Sequence, residues 1–405
     1  MAPKPGKLKI LSVVGARPQF MKALMLSRAV SRHNKARRAP RIEEIIVHTG
    51  QHYDREMSRV FFDQMQIPSP KYNLGISDNS HAGMTARMLA GIERILLAER
   101  PDWVVVFGDT NTTLAGSFAG AKIPLPVVHV EAGLRSFNRR MPEETNRVLT
   151  DHLSGLLFCP SDTAVSNLKG EGIRTGVYNV GDVLFDSFKM FKTAALKRSR
   201  VLARLGLKPK RFCLATVHRQ ENTDDERKLR DIFRALDNLA EKNCPVVMPV
   251  HPRTRKAMDK LEGLGLRNEF IRLIPPQGYL DILCLEVNAR AILTDSGGVQ
   301  REAYFARVPC VTLRNETEWV ETLGTGWNRL AGTQPESIIE AYRNALEFHA
   351  SRTPDFYGNG RAADSIVETI VRESPFDLAA WRPGKAARHK TDRPDDSPRK
   401  TGCAA

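Results

Sequence analysis

Short runs of branched and aromatic residues recur along the chain, separated by longer stretches whose apolar positions repeat every three or four residues. That alternation predicts βαβ units on a parallel sheet, because strands covered on both faces read as continuous apolar runs. In the first half the runs are "LKILSVV" (8–14), "EEIIVHT" (43–49), "WVVVF" (103–107), "PVVHV" (126–130), "GLLFC" (155–159) and "GVYNV" (176–180). In the second they are "FCLATV" (212–217), "PVVMPV" (245–250), "IRLI" (271–274), "AILT" (291–294) and "CVTL" (310–313). A charged helical stretch, "DSFKMFKTAALKRSRVLARLG", reads as the connector between them. The pattern therefore predicts an α/β protein with domains at 1–183 and 184–374, the last helix packing back on the first domain. Residues 375–405, rich in Pro, Lys, Arg and Asp with few large apolar side chains, read as a disordered basic tail.

Ligands of open parallel sheets bind beyond the carboxyl ends of the strands, so the residues just after each run carry the chemical interest. Nearly all such segments are polar: "GARPQFMK", "GQHYD", "GDTNTT", "EAGLRS" and "PSDT", then "HRQEN", "HPRTRK", "PPQGY", "DSGGVQRE" and "RNETEW". One polar strand end is most simply a helix cap, but ten in succession predict a polar cleft between the halves. Asp109 ends an apolar strand abruptly and is either an N-cap of the next helix or a carboxylate at the cleft mouth. Glu131 follows "VVHV" directly and precedes Ala-Gly, which is hard to explain as solvated decoration. Glu144 reads alternatively as a first-turn helix acid, with Arg147 on the same face as its partner. In "LTDSGGVQREA", Gly297 and Gly298 lie at a strand-to-helix turn whose free N–H groups suit a phosphate, Ser296 adds a hydroxyl, and Glu302 suits the two hydroxyls of a ribose. Neither a GxGxxG after the first strand nor a GxxxxGK[ST] occurs, which argues against a dinucleotide cofactor and a P-loop.

Composition narrows the class without changing this picture. The 405 residues are 41% hydrophobic and 26% charged, as in soluble globular proteins. No apolar run approaches the roughly 18 residues of a membrane span, and "MAPKPGKLKI" lacks a signal-peptide core. Cysteines 159, 213, 244, 284, 310 and 403 are scattered without a CxxC pair, which predicts reduced thiols, a cytoplasmic location and no structural zinc. The formal charge of +15 is partly local, in "RAVSRHNKARRAPR" and the tail. No nucleic-acid motif accompanies it, so an anionic small substrate explains it more economically.

Taken in order, "GARPQFMK", "GQHYD", "GDTNTTLAG", "HVEAGLRS", "MPEETNR", "HRQEN", "PVHPR", "TDSGGVQREA" and "RNETEWVE" make the chain resemble the non-hydrolysing UDP-N-acetylglucosamine 2-epimerase family over roughly residues 8–372. The resemblance implies two Rossmann-like domains of the glycosyltransferase-B type, with UDP held mainly by the C-terminal one and a homodimer as the usual assembly. It implies interconversion of UDP-N-acetylglucosamine and UDP-N-acetylmannosamine for surface polysaccharides. The route implied is anti-elimination of UDP across C1–C2 and readdition, with no cofactor and no metal. Asp109, Glu131 and Glu144 match the family's catalytic acids and His218 its cleft histidine. Arg17 and Lys22 match a basic pair on the phosphate and sugar side, with ordinary surface charge as the alternative, above all for Lys22. Arg219, His251 and Arg253 extend that lining toward the diphosphate. Some members carry an activating second site built on "QHR"; here Gln51, Arg87 and Glu144 remain, but Tyr53 and Asp54 depart from the pattern. The forms "GARPQF", "QHYD" and "GLRSFNRRMPEE" also resemble 2-epimerases of UDP-2,3-diacetamido-2,3-dideoxy-glucuronate. A glycosyltransferase on the same architecture, a hydrolysing epimerase and a nucleotide-sugar sensor are the remaining alternatives.

Overall fold

A computed structural model of the chain describes residues 7–50, 68–77, 80–261, 268–348 and 353–373. Gln51, Tyr53, Asp54, Cys403 and the tail lie outside the described residues, as does the side chain of Arg17. The first half forms strands β1 (Lys7–Val14), β2 (Arg41–His48), β3 (Tyr72–Asn73), β4 (Trp103–Phe107), β5 (Val127–Val130), β6 (Leu156–Cys159) and β7 (Val177–Asn179). They make one seven-stranded sheet in the order β3-β2-β1-β4-β5-β6-β7, with every pairing parallel. The second half forms β8 (Cys213–Thr216), β9 (Val246–Pro249), β10 (Ile271–Ile274), β11 (Ala291–Thr294), β12 (Cys310–Thr312) and β13 (Asn328–Leu330). These make a six-stranded parallel sheet in the order β10-β9-β8-β11-β12-β13. The result is a pair of Rossmann-like halves in the glycosyltransferase-B arrangement.

The strands read from the apolar runs are all present. Two others, β3 and β13, were not predicted. Both are edge strands of two or three residues, and apart from the buried but polar Asn328 their side chains are only partly covered or exposed, so no apolar run announces them. By contrast every residue of β4 is buried, as a strand between two neighbours and under helices on both faces must be.

The connector forms a helix, Val183–Arg198, capped by Asp182, whose carboxylate accepts from Leu184 N. The last described helix, Ala362–Arg372, returns to the first half. Its apolar face (Ala362, Ala363, Ile366, Val367, Ile370) joins the same core as Phe20, Leu24 and Phe188. Its start is tied down by Asp186, which accepts from Ala362 N at 3.0 Å and Ala363 N at 2.8 Å, satisfying two orphan donors. The chain thus crosses between the halves twice, once along Val183–Arg198 and again before Ala362.

In each sheet the strand order reverses at one place, between β1 and β4 and between β8 and β11. Crevices form at such reversals because the connections on either side leave in opposite directions. Gly15 and Asp109 flank the first reversal; His218 and Ser296 flank the second.

Candidate active site

Gln19 braces the first crevice. Its Oε1 accepts from Gly15 N (2.8 Å) and Ala16 N (3.0 Å), and its Nε2 donates to the Phe107 carbonyl (2.8 Å). The end of β1 is thereby locked to the end of β4. The helix that follows β4, Asn111–Lys122, has Thr110 as its N-cap, and Thr110 N donates to Thr113 Oγ1 at 3.1 Å. That removes the capping reading of Asp109. The Asp109 carboxylate, 30% exposed, instead accepts from Arg147 Nε at 3.1 Å and Nη2 at 2.6 Å.

Arg147 is buried and joins three acids. Beyond Asp109, its Nη1 donates to Glu144 at 2.7 Å and its Nη2 to Glu318 at 3.0 Å, on the other half of the molecule. Glu318 also accepts from Arg314 Nη1 at 3.0 Å. Burial pushes the Glu318 carboxyl up, but Arg147, Arg314 and Arg219 outweigh it and hold it well below the usual range. Glu144 is fully engaged: its oxygens accept from Ser136 N, Ser136 Oγ and Phe137 N, all at 2.9 Å, besides Arg147. Burial opposes ionisation of Glu144, yet these donors lower its pKa.

Glu131 occupies the end of β5 with φ +74°, a left-handed conformation uncommon outside glycine. Glu131 N and Ala132 N both donate to the Phe158 carbonyl at 3.0 Å, and this holds the turn. Gly133, φ +79°, completes it; a Cβ there would lie 2.3 Å from the Ala164 carbonyl oxygen, so only glycine fits "EAG". Backbone held in a sparsely populated region is a mark of functional sites. Two cations meet one oxygen of this carboxylate: Lys22 Nζ lies 2.7 Å and Arg301 Nη1 2.8 Å from Oε2. Burial raises the Glu131 pKa, but Arg301 and Lys22 overcome it and bring it down to about 2. Lys22 is therefore no surface lysine, being 4% exposed. Beneath this loop, buried His129 donates from Nε2 to the Gly108 carbonyl at 2.7 Å, while its Nδ1 lies 2.6 Å from Asp151.

Across the second crevice, Ser296 caps the helix Gly297–Ala306 through Val299 N. The first-turn N–H groups have no acceptor inside the helix. The two glycines differ. A Cβ on Gly297 would stand 2.9 Å from Trp319 Nε1, whereas one on Gly298 would meet nothing closer than Ser296 Oγ at 3.7 Å. Glu302 is only 6% exposed and accepts from Tyr279 OH at 3.0 Å, with burial raising its pKa to about 7. His218 N and Arg219 N donate to buried Asp295, which sets the His218 ring beside His251 at 5.5 Å, with Nδ1 3.7 Å from Asp295. His251 caps the helix Pro252–Lys260 by accepting from Arg253 N at 3.1 Å, and Arg253 is exposed.

The structure therefore brings together Asp109, Glu144 and Arg147 in one cluster and Lys22 and Glu131 in another. Ser296, Gly297, Gly298, His218, Arg219 and His251 face them from the other half. Arg87 stands apart, exposed on the helix His81–Glu99 and donating to the Ser77 carbonyl. Sequence reasoning missed Arg301, Asp182, Glu318 and Arg314. Three of the four lie in strand-end segments or one residue from a predicted ligand, but their pairing across the halves has no local signal. Among the described residues no group of three or more His, Cys, Asp or Glu side chains is placed to hold a metal ion. No helix among the described residues is long and apolar enough to cross a membrane.

A family model described as UDP-N-acetylglucosamine 2-epimerase matches residues 34–371. A UDP-N-acetylglucosamine 2-epimerase homolog of Methanococcus maripaludis is 50% identical over 368 residues, which covers 90% of this chain and 99% of that protein. The UDP-2,3-diacetamido-2,3-dideoxy-D-glucuronate 2-epimerase of Pseudomonas aeruginosa is 46% identical over 90% of this chain and 100% of its own. The crystal structure of Methanocaldococcus jannaschii UDP-GlcNAc 2-epimerase with UDP-GlcNAc and UDP superposes with a TM-score of 0.83 at 40% identity, covering 90% of this chain and all of that one.

Proposed function

The chain belongs to the non-hydrolysing UDP-N-acetylglucosamine 2-epimerase family, and from that premise we propose that it interconverts UDP-N-acetylglucosamine and UDP-N-acetylmannosamine by elimination and readdition of UDP. The observation that carries this reading is the juxtaposition across the cleft. A half-exposed carboxylate (Asp109) and an ionised, cation-flanked one (Glu131) stand at one sheet's crevice, and the opposite crevice presents a helix N-terminus at Ser296–Gly298. Diphosphate on that turn places the sugar against the carboxylates.

In the forward direction a carboxylate takes the C2 proton as the C1–O bond to UDP breaks, leaving 2-acetamidoglucal and UDP. Readdition of the UDP oxygen to C1, with a proton delivered to the other face of C2, gives the epimer. A base with a pKa near 2 is weak. The cations that make it so, Lys22 and Arg301, also lie where negative charge grows on the departing diphosphate. As that charge draws on Lys22, the proton affinity of Glu131 rises. Glu144 acts on this reading by fixing Arg147, which in turn fixes Asp109. Homodimer assembly and a cytoplasmic location complete the proposal; the five described cysteines are all free thiols, which accords with the latter.

Turnover of UDP-N-acetylglucosamine in deuterated water should give UDP-N-acetylmannosamine with deuterium at C2, read by NMR. Product without solvent deuterium at C2 overturns elimination; release of free N-acetylmannosamine overturns the non-hydrolysing reading. The 46% identity to the Pseudomonas enzyme favours a second substrate, UDP-2,3-diacetamido-2,3-dideoxy-glucuronate, by the same chemistry. Relative kcat/KM for the two sugars decides between them.

A further inference from the structure

We propose that Arg301 is a positioning residue of this reaction, holding Glu131 in register with the sugar from the opposite half of the molecule. Its helix begins at the SGG turn, yet its guanidinium crosses the cleft and donates through Nη1 to Glu131 Oε2 at 2.8 Å and to Asp182 Oδ2 at 2.7 Å. Its Nε reaches back to the Gly297 carbonyl at 3.3 Å, and its Cζ lies over the Trp319 ring, 3.8 Å from the centroid. One buried side chain thus touches the diphosphate turn, the sugar-side carboxylate and the cap of the connector helix. A planar donor fork stacked on an aromatic ring fixes direction in a way a flexible ammonium does not.

This role of Arg301 rests on the epimerase reading. Glu131 reaches its position in a strained backbone conformation, and its side chain has further torsions to lock. Lys22, on the helix Arg17–Lys35, supplies charge to the same oxygen. Lys22 comes from the same half as Glu131, so it moves with it and cannot align it to the other half. Arg301 can. Both cations contact Oε2, so Oε1, which lies toward Gly108, is the oxygen left for proton transfer. The groups facing Glu131 are then Lys22, Arg301 and, behind Arg301, Asp182, whose negative charge partly offsets the arginine.

Arg301→Gln removes the charge and the fork, and Arg301→Lys keeps a charge without the fork. For the glutamine variant we expect kcat to fall about a hundredfold, the size of effect a misplaced group brings. With one cation gone, Glu131 titrates higher, so the acid limb of the kcat profile moves up by about one to three pH units. The lysine variant should leave the limb near its original place while kcat remains depressed. A purely structural role lowers the folded fraction but does not move the limb. A glutamine variant whose limb coincides with that of wild type overturns the proposal. Should that variant not fold, a folded lysine variant with wild-type kcat overturns it equally. Wild-type enzyme in the same assay separates the two readings: no epimer from wild type defeats the function, and an unmoved limb with active wild type defeats only the role of Arg301.

Discussion

Asp109, Glu131 and Glu144 arrive at the cleft from successive loops, but their surroundings give them unlike tasks. Asp109 shares one arginine and keeps part of its surface open; Glu131 is held ionised by two cations; Glu144 spends its lone pairs on Ser136, Phe137 and Arg147. Asp109→Asn or Glu131→Gln should lower turnover about a hundredfold or more, as removal of a proton carrier does, while UDP affinity holds. Single-turnover rates and calorimetry on both variants check this, and abolished UDP binding in Asp109→Asn would show that it belongs to the nucleotide end. The position of Asp109 and Glu131 at strand ends and of Glu144 in the first turn of a helix was legible in the sequence, whereas their grouping as acids of one site came from the family resemblance. Arg301 was not legible, since a helix surface arginine and a buried one look alike in a sequence. Only the second sheet, folding against the first, turns it inward.

At the level of elements, the strands announced themselves wherever both faces are covered, and β3 and β13 stayed hidden because edge strands need no apolar run. The SGG turn was legible as a strand-to-helix turn, but not the division of labour between its glycines. Gly297 makes room for Trp319, and Gly298 borders open space. Gly297→Val should therefore cost roughly 1–3 kcal/mol of stability through overpacking. Gly298→Val should weaken UDP binding with the melting temperature preserved. Denaturant titration beside calorimetry on the two variants tests the division; a stability loss in Gly298→Val and none in Gly297→Val would reverse it.

For the molecule as a whole, buried acids of two kinds set the pH at which folding is strongest. Burial raises Glu302 to about 7 and Asp186 and Glu44 to about 6, so the folded state holds protons there that the unfolded chain has released. Stability therefore falls as pH rises from about 4.5 through 7. Glu131, held at about 2, acts oppositely: its contribution is present above about 4.5 and is lost as pH falls toward 2. Melting temperature of the ligand-free protein should peak near pH 5, and Glu302→Gln should raise it at pH 8 more than at pH 5. A flat profile for wild type between pH 5 and 8 would contradict this balance. The two crossings between the halves have a mechanical meaning of their own. They run side by side, laced by Asp182 N to the Tyr357 carbonyl at 3.0 Å and by Asp186 to the start of the final helix. These ties make one seam of the two crossings, and Arg301, bound to Asp182 at 2.7 Å, reaches Glu131 from beside that seam.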